Sequence, residues 1–256
     1  MTPSLPASFL GAPIAHRGYH DNSEGRPENS RAAIEAAIAA GYAVEIDLQM
    51  TADARAVVFH DYGLKRLTGR DGVIRQLTRN DARSVQLLHG YGAGIPDLAE
   101  VLELVNGRAP LLIEIKDQDG HMGKDVGPLE AAAAALLVGY RGDVAVMSFN
   151  PNSVEQMAQL APEIPRGLVT SSYSYDEWPL PQEVCDRLRA IPDVDRVGAS
   201  FISHEVEDLN RSRVRDLKQA GLPVLCWTVK SAAQEKEARK VAENITFEGY
   251  AAAVLA

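Results

Sequence analysis

Eight short apolar runs, near residues 14, 45, 113, 146, 167, 198, 226 and 246, are separated mostly by stretches with helical spacing. Strand–helix–strand repetition favours parallel pairing, because a parallel neighbour can be reached only through a crossover connection. Eight such units in 256 residues predict an α/β fold, a closed TIM (β/α)8 barrel forming one domain over 1–256. An open doubly wound sheet is the structural alternative, but no GxGxxG or P-loop follows any strand to favour it. Several connections carry their own caps. Asn29 or Ser30 precedes a helix with Ile34 and Ile38 on one face and Gly41 at its end. Asp97 precedes another, with Glu100 at the capping-box position, and Asn150-Pro151 opens a helix to about Leu160. A strand is expected over 196–201 and one continuous helix over 206–220.

The second run is no ordinary core strand. In 42–61, YAVEIDLQMTADARAVVFHD, a period of two puts Ala43, Glu45 and Asp47 on one face and Val44, Ile46 and Leu48 on the other. Burying unpaired carboxylates costs several kcal/mol, roughly, so an apolar strand carrying two of them needs a chemical reason. A second apolar run at 56–59 ends in His60-Asp61, and a hairpin turning at Asp53-Ala54 sets Asp47 opposite His60. That register makes His60 the expected general acid, since a facing carboxylate favours the protonated imidazole. Residues 61–96, rich in Gly and Arg, read as a small insertion after this hairpin, with one short helix over 80–88.

In a barrel, side chains at the C-terminal ends of the strands surround one mouth. His16 ends the first strand, Glu45 and Asp47 the second, Glu114 and Lys116 the third, and His60 returns on the hairpin arm. Three carboxylates supply hard oxygen ligands for Ca²⁺ or Mg²⁺; zinc fits less well, since the HxH and HExxH spacings are absent. Two histidines beside such an ion suit proton transfer near neutral pH, and Arg17 and Lys116 suit a phosphate. A lone strand Glu is more often a salt-bridge partner, and a lone His is more often a satisfied core residue. One mouth, however, accounts for all five together. His20, His89, His121 and His204 read as exposed or supporting. Tyr173, Tyr175 and Trp178, in the loop over 171–181, either line the pocket or pack the loop.

Composition narrows the partners. The net charge of −9 disfavours a nucleic-acid or anionic-membrane surface. Cys185 and Cys226 have no CxxC spacing and read as packing residues in a reducing compartment, the cytoplasm. No Lys or Arg precedes Arg17 to start a signal peptide, and 131–138 is a helix body, too short to anchor in a membrane.

His16-Arg17-Gly18, Pro27-Glu28-Asn29, Glu45-Ile46-Asp47, Val57-Val58-Phe59-His60-Asp61, Ile95-Pro96-Asp97-Leu98, Glu114-Ile115-Lys116 and Trp227-Thr228-Val229 follow one another in a distinctive order. That ordered set resembles the glycerophosphodiester phosphodiesterases. The resemblance implies a TIM barrel with a small insertion after the His-Asp pair. It implies a divalent cation, Ca²⁺ or Mg²⁺, on Glu45, Asp47 and Glu114, and His16 and His60 as the acid–base pair. Arg17 and Lys116 would bind the phosphate of a small glycerophosphodiester, and Trp227 would form part of the pocket wall. The chain departs from the pattern in having Leu112 where the family often has Asn, and in ending with NITFEGYAAAVLA rather than a GIITD-type strand followed by Pro. The nearest enzymatic alternative is a phospholipase-D-like relative, of sphingomyelinase D or lysophospholipase D type, which needs an apolar approach to the mouth. None is evident among five Phe and two Trp. A non-catalytic phosphate-binding barrel is the alternative of another kind, and both histidines speak against it.

Overall fold

The structure is a computed structural model that describes residues 2–254. Its eight parallel barrel strands are β1 (Ile14–Ala15), β2 (Ala43–Met50), β4 (Leu111–Ile115), β5 (Val144–Ser148), β6 (Arg166–Thr170), β7 (Phe201–Glu205), β8 (Val224–Val229) and β9 (Asn244–Phe247). β1 pairs with both β2 and β9, which closes the barrel, while β3 (Ala56–Val58) lies antiparallel outside β2. The helices are α1 (Arg31–Ala39), α2 (Lys65–Thr68), α3 (Arg79–Ser84), α4 (Leu98–Val105), α5 (Pro128–Leu137), α6 (Pro151–Leu160), α7 (Gln182–Arg189), α8 (Val194–Val197), α9 (Ser212–Gln219) and α10 (Ala232–Ala238).

Strand alternation builds two apolar layers. Val44, Ile46 and Leu48 of β2 face outward and pack with Ile34 of α1 and Leu98 and Val101 of α4. Ala43, Leu112, Ala145, Val169, Phe201 and Leu225 point inward and fill the barrel with Leu5 and Phe9 of the N-terminal segment. Gly167 is required there: a Cβ would stand 2.4 Å from the Phe201 ring. Below, the Asn244 amide donates to the carbonyls of Phe9 and Ala12, at 2.7 and 2.8 Å, tying the N-terminal segment to β9. With the lower barrel filled by apolar side chains, Glu45, Asp47 and Glu114 lie above it toward the strands' C-terminal ends.

Several sequence expectations shift. The seventh barrel strand is β7, not 196–201. Arg196 lies in the short α8, where it and Arg187 both bond Asp193, and Gly198 ends that turn at φ 58°. The expected helix over 206–220 is broken. A 3-10 turn at Val206–Asp208 leads to Arg211, which pairs with Asp208, and only then does α9 begin. In 61–96 there are two short helices instead of one over 80–88: α2, and α3, which ends at Ser84 and starts with Thr78 and Asp81 as a reciprocal capping box. Asp97 does cap α4, but the Glu100 carboxylate pairs with Arg31 at 2.6 and 2.8 Å instead of closing a box. Ser30, rather than Asn29, caps α1. His204 is fully buried, between Thr170 and Asp208. Both cysteines are free and buried, as expected.

Candidate active site

The His16-Arg17-Gly18 turn is bolted onto the end of β2. Gly18 sits at φ 77° with Ala33 backbone 2.8 Å from where a Cβ would be, so only glycine fits. The Arg17 N–H donates to Glu45 at 2.8 Å and the Gly18 N–H to the Glu45 carbonyl at 3.0 Å. Arg17 itself adopts φ 54°, a left-handed conformation that costs about 1–3 kcal/mol for a residue with a side chain. Those bonds to Glu45 offset part of that cost.

Glu45, Asp47 and Glu114 present carboxylate oxygens within 4.8 Å of one another, all buried. The β2–β4 register explains it: Asp47 lies directly beside Glu114 across a parallel ladder, and Glu45 is one inward position below. Lys116, two residues beyond Glu114 on the same face, places Nζ 2.7 Å from Glu114 and 2.9 Å from Asp47. Burial, Asp47 and Glu114 push the Glu45 carboxyl well above the usual range. Burial also raises Asp47, but Lys116, His60 and Arg17 more than offset this and hold it far below. Glu114 is raised by burial despite Lys116.

This donor set fits a divalent cation. All three donors are carboxylate oxygens, and Asp47 Oδ1 is a buried atom without a directed hydrogen bond, its contact to Lys116 being ionic only. With all three ionised, as cation ligation requires, the carboxylates against Arg17 and Lys116 leave one negative charge. A divalent ion reverses that sign, and a phosphodiester monoanion then neutralises the site.

The two histidines occupy equivalent settings. His16 Nδ1 is 2.7 Å from Glu248, and His60 Nδ1 is 2.7 Å from Asp61. A carboxylate on Nδ1 fixes the tautomer, leaving Nε2 to exchange protons. The hairpin register differs from expectation by one step. Leu48 pairs with Val58, and the Phe59 N–H donates to the Asp47 carbonyl, so Phe59, not His60, stands opposite Asp47. His60 therefore continues past the ladder. Burial, with Lys116 and Arg17, lowers it to about 4 against the pull of Asp47 and Asp61. Burial lowers His16 too, opposed by Glu248.

His16, Arg17, Glu45, His60, Glu114, Lys116 and Trp227 share one cavity of about 90 Å³ at the mouth. The expected groups are thus brought together, with Asp47 directly behind them. A wider cavity of about 500 Å³ adjoins it, walled by Tyr62, Met122, Phe149, Trp178 and Trp227. Phe149 stands between the two indoles, 5.0 Å from Trp178 and 5.4 Å from Trp227. Trp178 therefore lines the pocket, Tyr173 is buried beneath it and Tyr175 is turned away to Asp186. Leu112, inside the barrel one layer below Glu114, packs with Ala43 and Phe201, so no polar group backs Glu114 from that position.

Sequence reasoning missed three supporting residues. Asn29 donates to Asp47 Oδ2 at 2.8 Å and accepts the Asp47 N–H at 3.1 Å, fixing both side chain and backbone. Glu28 accepts from Arg17 and Arg66. Glu248, just past β9, is held far below its usual range by the hydrogen bond to His16 at 2.7 Å and by His20 at 3.6 Å. The Pro-Glu-Asn run was a visible signal for the first two. Glu248 had none, because the C-terminal segment departs from the expected pattern.

A TIM barrel carrying an acidic cluster, two cations and two carboxylate-backed imidazoles at its mouth is built as a phosphoric ester hydrolase. The glycerophosphoryl diester phosphodiesterase family model matches residues 16–244, and the chain belongs to that family. Hydrolysis of glycerophosphodiesters is accordingly its class of reaction. A glycerophosphodiester phosphodiesterase of Caldanaerobacter subterraneus is 30% identical over 171 residues, covering 64% of this chain and 69% of its own length. One from Bacillus subtilis is 25% identical over 238 residues, covering 86% and 77%. Among solved structures, an Oleispira antarctica phosphodiesterase in complex with the product sn-glycerol-3-phosphate superposes with TM-score 0.76 at 25% identity, covering 94% of each chain. Among the described residues no helix is long and apolar enough to cross a membrane.

Proposed function

We propose that the protein is a divalent-cation-dependent hydrolase that cleaves small glycerophosphodiesters to glycerol 3-phosphate and a free alcohol, with His16 and His60 as the acid–base pair. The observation that carries this is the convergence of a buried carboxylate cluster, two cations and two carboxylate-backed histidines on one cavity. Glu45, Asp47 and Glu114 hold Ca²⁺ or Mg²⁺, which supplies Lewis-acid stabilisation of charge on the phosphoryl oxygens. Arg17 and Lys116 orient the phosphate, and Trp227 walls the pocket. The whole of 1–256 acts as one catalytic domain, with 61–96 as its insertion, in the cytoplasm.

The proton roles run opposite to the expectation from the hairpin register. His60, lowered to about 4, is neutral at pH 7 and takes the proton from the oxygen nucleophile that attacks phosphorus, one water being consumed over the whole cleavage. His16 gives a proton to the leaving alkoxide: the ionised Glu248 on Nδ1 orients the ring and opposes the burial that lowers His16 as well. The apolar-walled cavity beside His60 favours one second reading, a lysophospholipase-D-like activity in which that cavity takes an alkyl chain. Parallel assays on glycerophosphocholine and lysophosphatidylcholine, with product analysis, decide between them. Release of glycerol 3-phosphate and choline from the first is expected; turnover of the lysolipid alone overturns the primary reading.

A further inference from the structure

The insertion reaches back to the acid–base pair through a single side chain. Arg66 lies on α2, whose Leu64 and Leu67 flank are buried in the same small core as Val57 and Phe59, and Phe59 directly precedes His60. Gly69 ends α2 in a left-handed turn, so the helix is short and its position is set by that core. From there the Arg66 guanidinium makes two paired contacts. Nε and Nη2 donate to Asp61 at 2.7 and 2.8 Å, and Nη1 and Nη2 donate to Glu28 at 2.7 and 2.8 Å. Asp61 holds His60 Nδ1, and Glu28 holds Arg17 Nη1 at 2.7 Å. Asp61–Arg66–Glu28–Arg17 is therefore one unbroken chain of alternating charge, hydrogen-bonded at its Asp61 end to the His60 imidazole. It runs from the carboxylate on one of the two histidines to the guanidinium beside the acidic cluster.

We infer that Arg66 is a positioning residue: it fixes the Asp61 carboxylate plane, and with it the His60 ring, while joining that pair to Arg17 through Glu28. The inference rests on the acid–base reading of His60. A planar fork bonded to both oxygens of each carboxylate leaves neither free to rotate, and an ammonium cannot reproduce that geometry. Without it, Asp61 retains one partner at a single oxygen, and two carboxylates face each other across the gap. The insertion thereby acquires a role, as the platform that delivers this fork.

The test is kinetics on glycerophosphocholine with wild type, Arg66→Gln and Arg66→Lys. Because the Arg66 side chain is 49% exposed, both variants should fold with wild-type melting temperatures. Both should lose about 10- to 100-fold in kcat, as misplacement of a reacting group does. Methylguanidinium should restore part of the loss in Arg66→Gln, and methylammonium none. In a His60→Ala background, Arg66→Gln should cost much less kcat than in wild type, the remainder being its effect on Arg17 through Glu28. Near-wild-type kcat in either single variant, or an additive loss in the double variant, overturns the inference. Imidazole ¹⁵N spectra give a readout independent of turnover. His60 should be a fixed Nδ1–H tautomer in wild type and averaged in Arg66→Gln, and identical spectra contradict the assignment. Inactivity of the wild type on every diester would sink the hydrolase reading instead, and the spectra would still judge Arg66.

Discussion

The two halves of the barrel mouth are built from different chemistry. The half formed by β1, β2 and β4 with the hairpin arm carries His16, Arg17, Glu45, Asp47, His60, Glu114 and Lys116, each held by at least one directed bond or ion pair. The half above β5, β6 and β8 presents Met147, Phe149, Val169 and Trp227, with Trp178 leaning in from a loop. Charged groups need fixed partners to be buried at all, so the first half is a set of mutually bonded charges. Aromatic and thioether side chains need only shape, so the second half can change its occupant without disturbing the chemistry. If the second half receives the alcohol, the choice among alcohols rests on Met147, Val169 and Trp227 of β5, β6 and β8 together with Phe149 and Trp178 in the loops beyond them.

Four experiments would break or sharpen that contrast. His16→Ala and His60→Ala should each lower kcat on glycerophosphocholine by about 10²–10⁴-fold. On an aryl phosphodiester, whose leaving group needs no protonation, only the His16→Ala loss should shrink. Equal losses on both substrates would rule out the division of labour. Next, Trp178→Ala should raise KM for the alcohol-bearing substrate roughly tenfold with little change in kcat, within the range of a lost apolar pocket contact. A large fall in kcat instead would show that the two halves are not separable.

The third concerns pH. His60 must be neutral to accept a proton, and its pKa of about 4 lies below the ordinary 6.5. The acidic limb of kcat/KM should therefore fall well below pH 6, with activity lost as pH drops through that limb; a limb at 6.5 would contradict the assigned base. The smallest expected effect on chemistry comes from the floor. Phe9→Ala should cost about 3–5 kcal/mol of stability while leaving kcat per folded molecule unchanged. Chemical denaturation alongside active-site titration would check it.

The contrast between halves also governs what could be read in the sequence. Alternation alone placed Glu45, Asp47, Glu114 and Lys116 on inward faces, because a strand's period leaves no freedom. Seven of the eight barrel strands fall where the apolar runs put them. The seventh moved because Arg196 found partners in Asp193 and Glu155, while Phe201 to Glu205 carried an equally good alternation further along. The hairpin register failed by one step because turn residues fix the pairing more finely than apolar pattern does. His60 still reaches the mouth, since it lies beyond the ladder. The partners Glu248 and Arg66 were not legible as such. Their contacts span 232 and 38 residues, and no local periodicity encodes a meeting at that separation.

The central claim is that the charged half works as a cation-dependent site. Titration of Ca²⁺ or Mg²⁺ into chelator-stripped protein, with glycerophosphocholine turnover followed in the same samples, tests it most directly. One ion should bind per chain, turnover should be absent before addition and return in proportion to occupancy, and Asp47→Asn should abolish both. Full turnover in the stripped protein, or ion binding undiminished in Asp47→Asn, would contradict it.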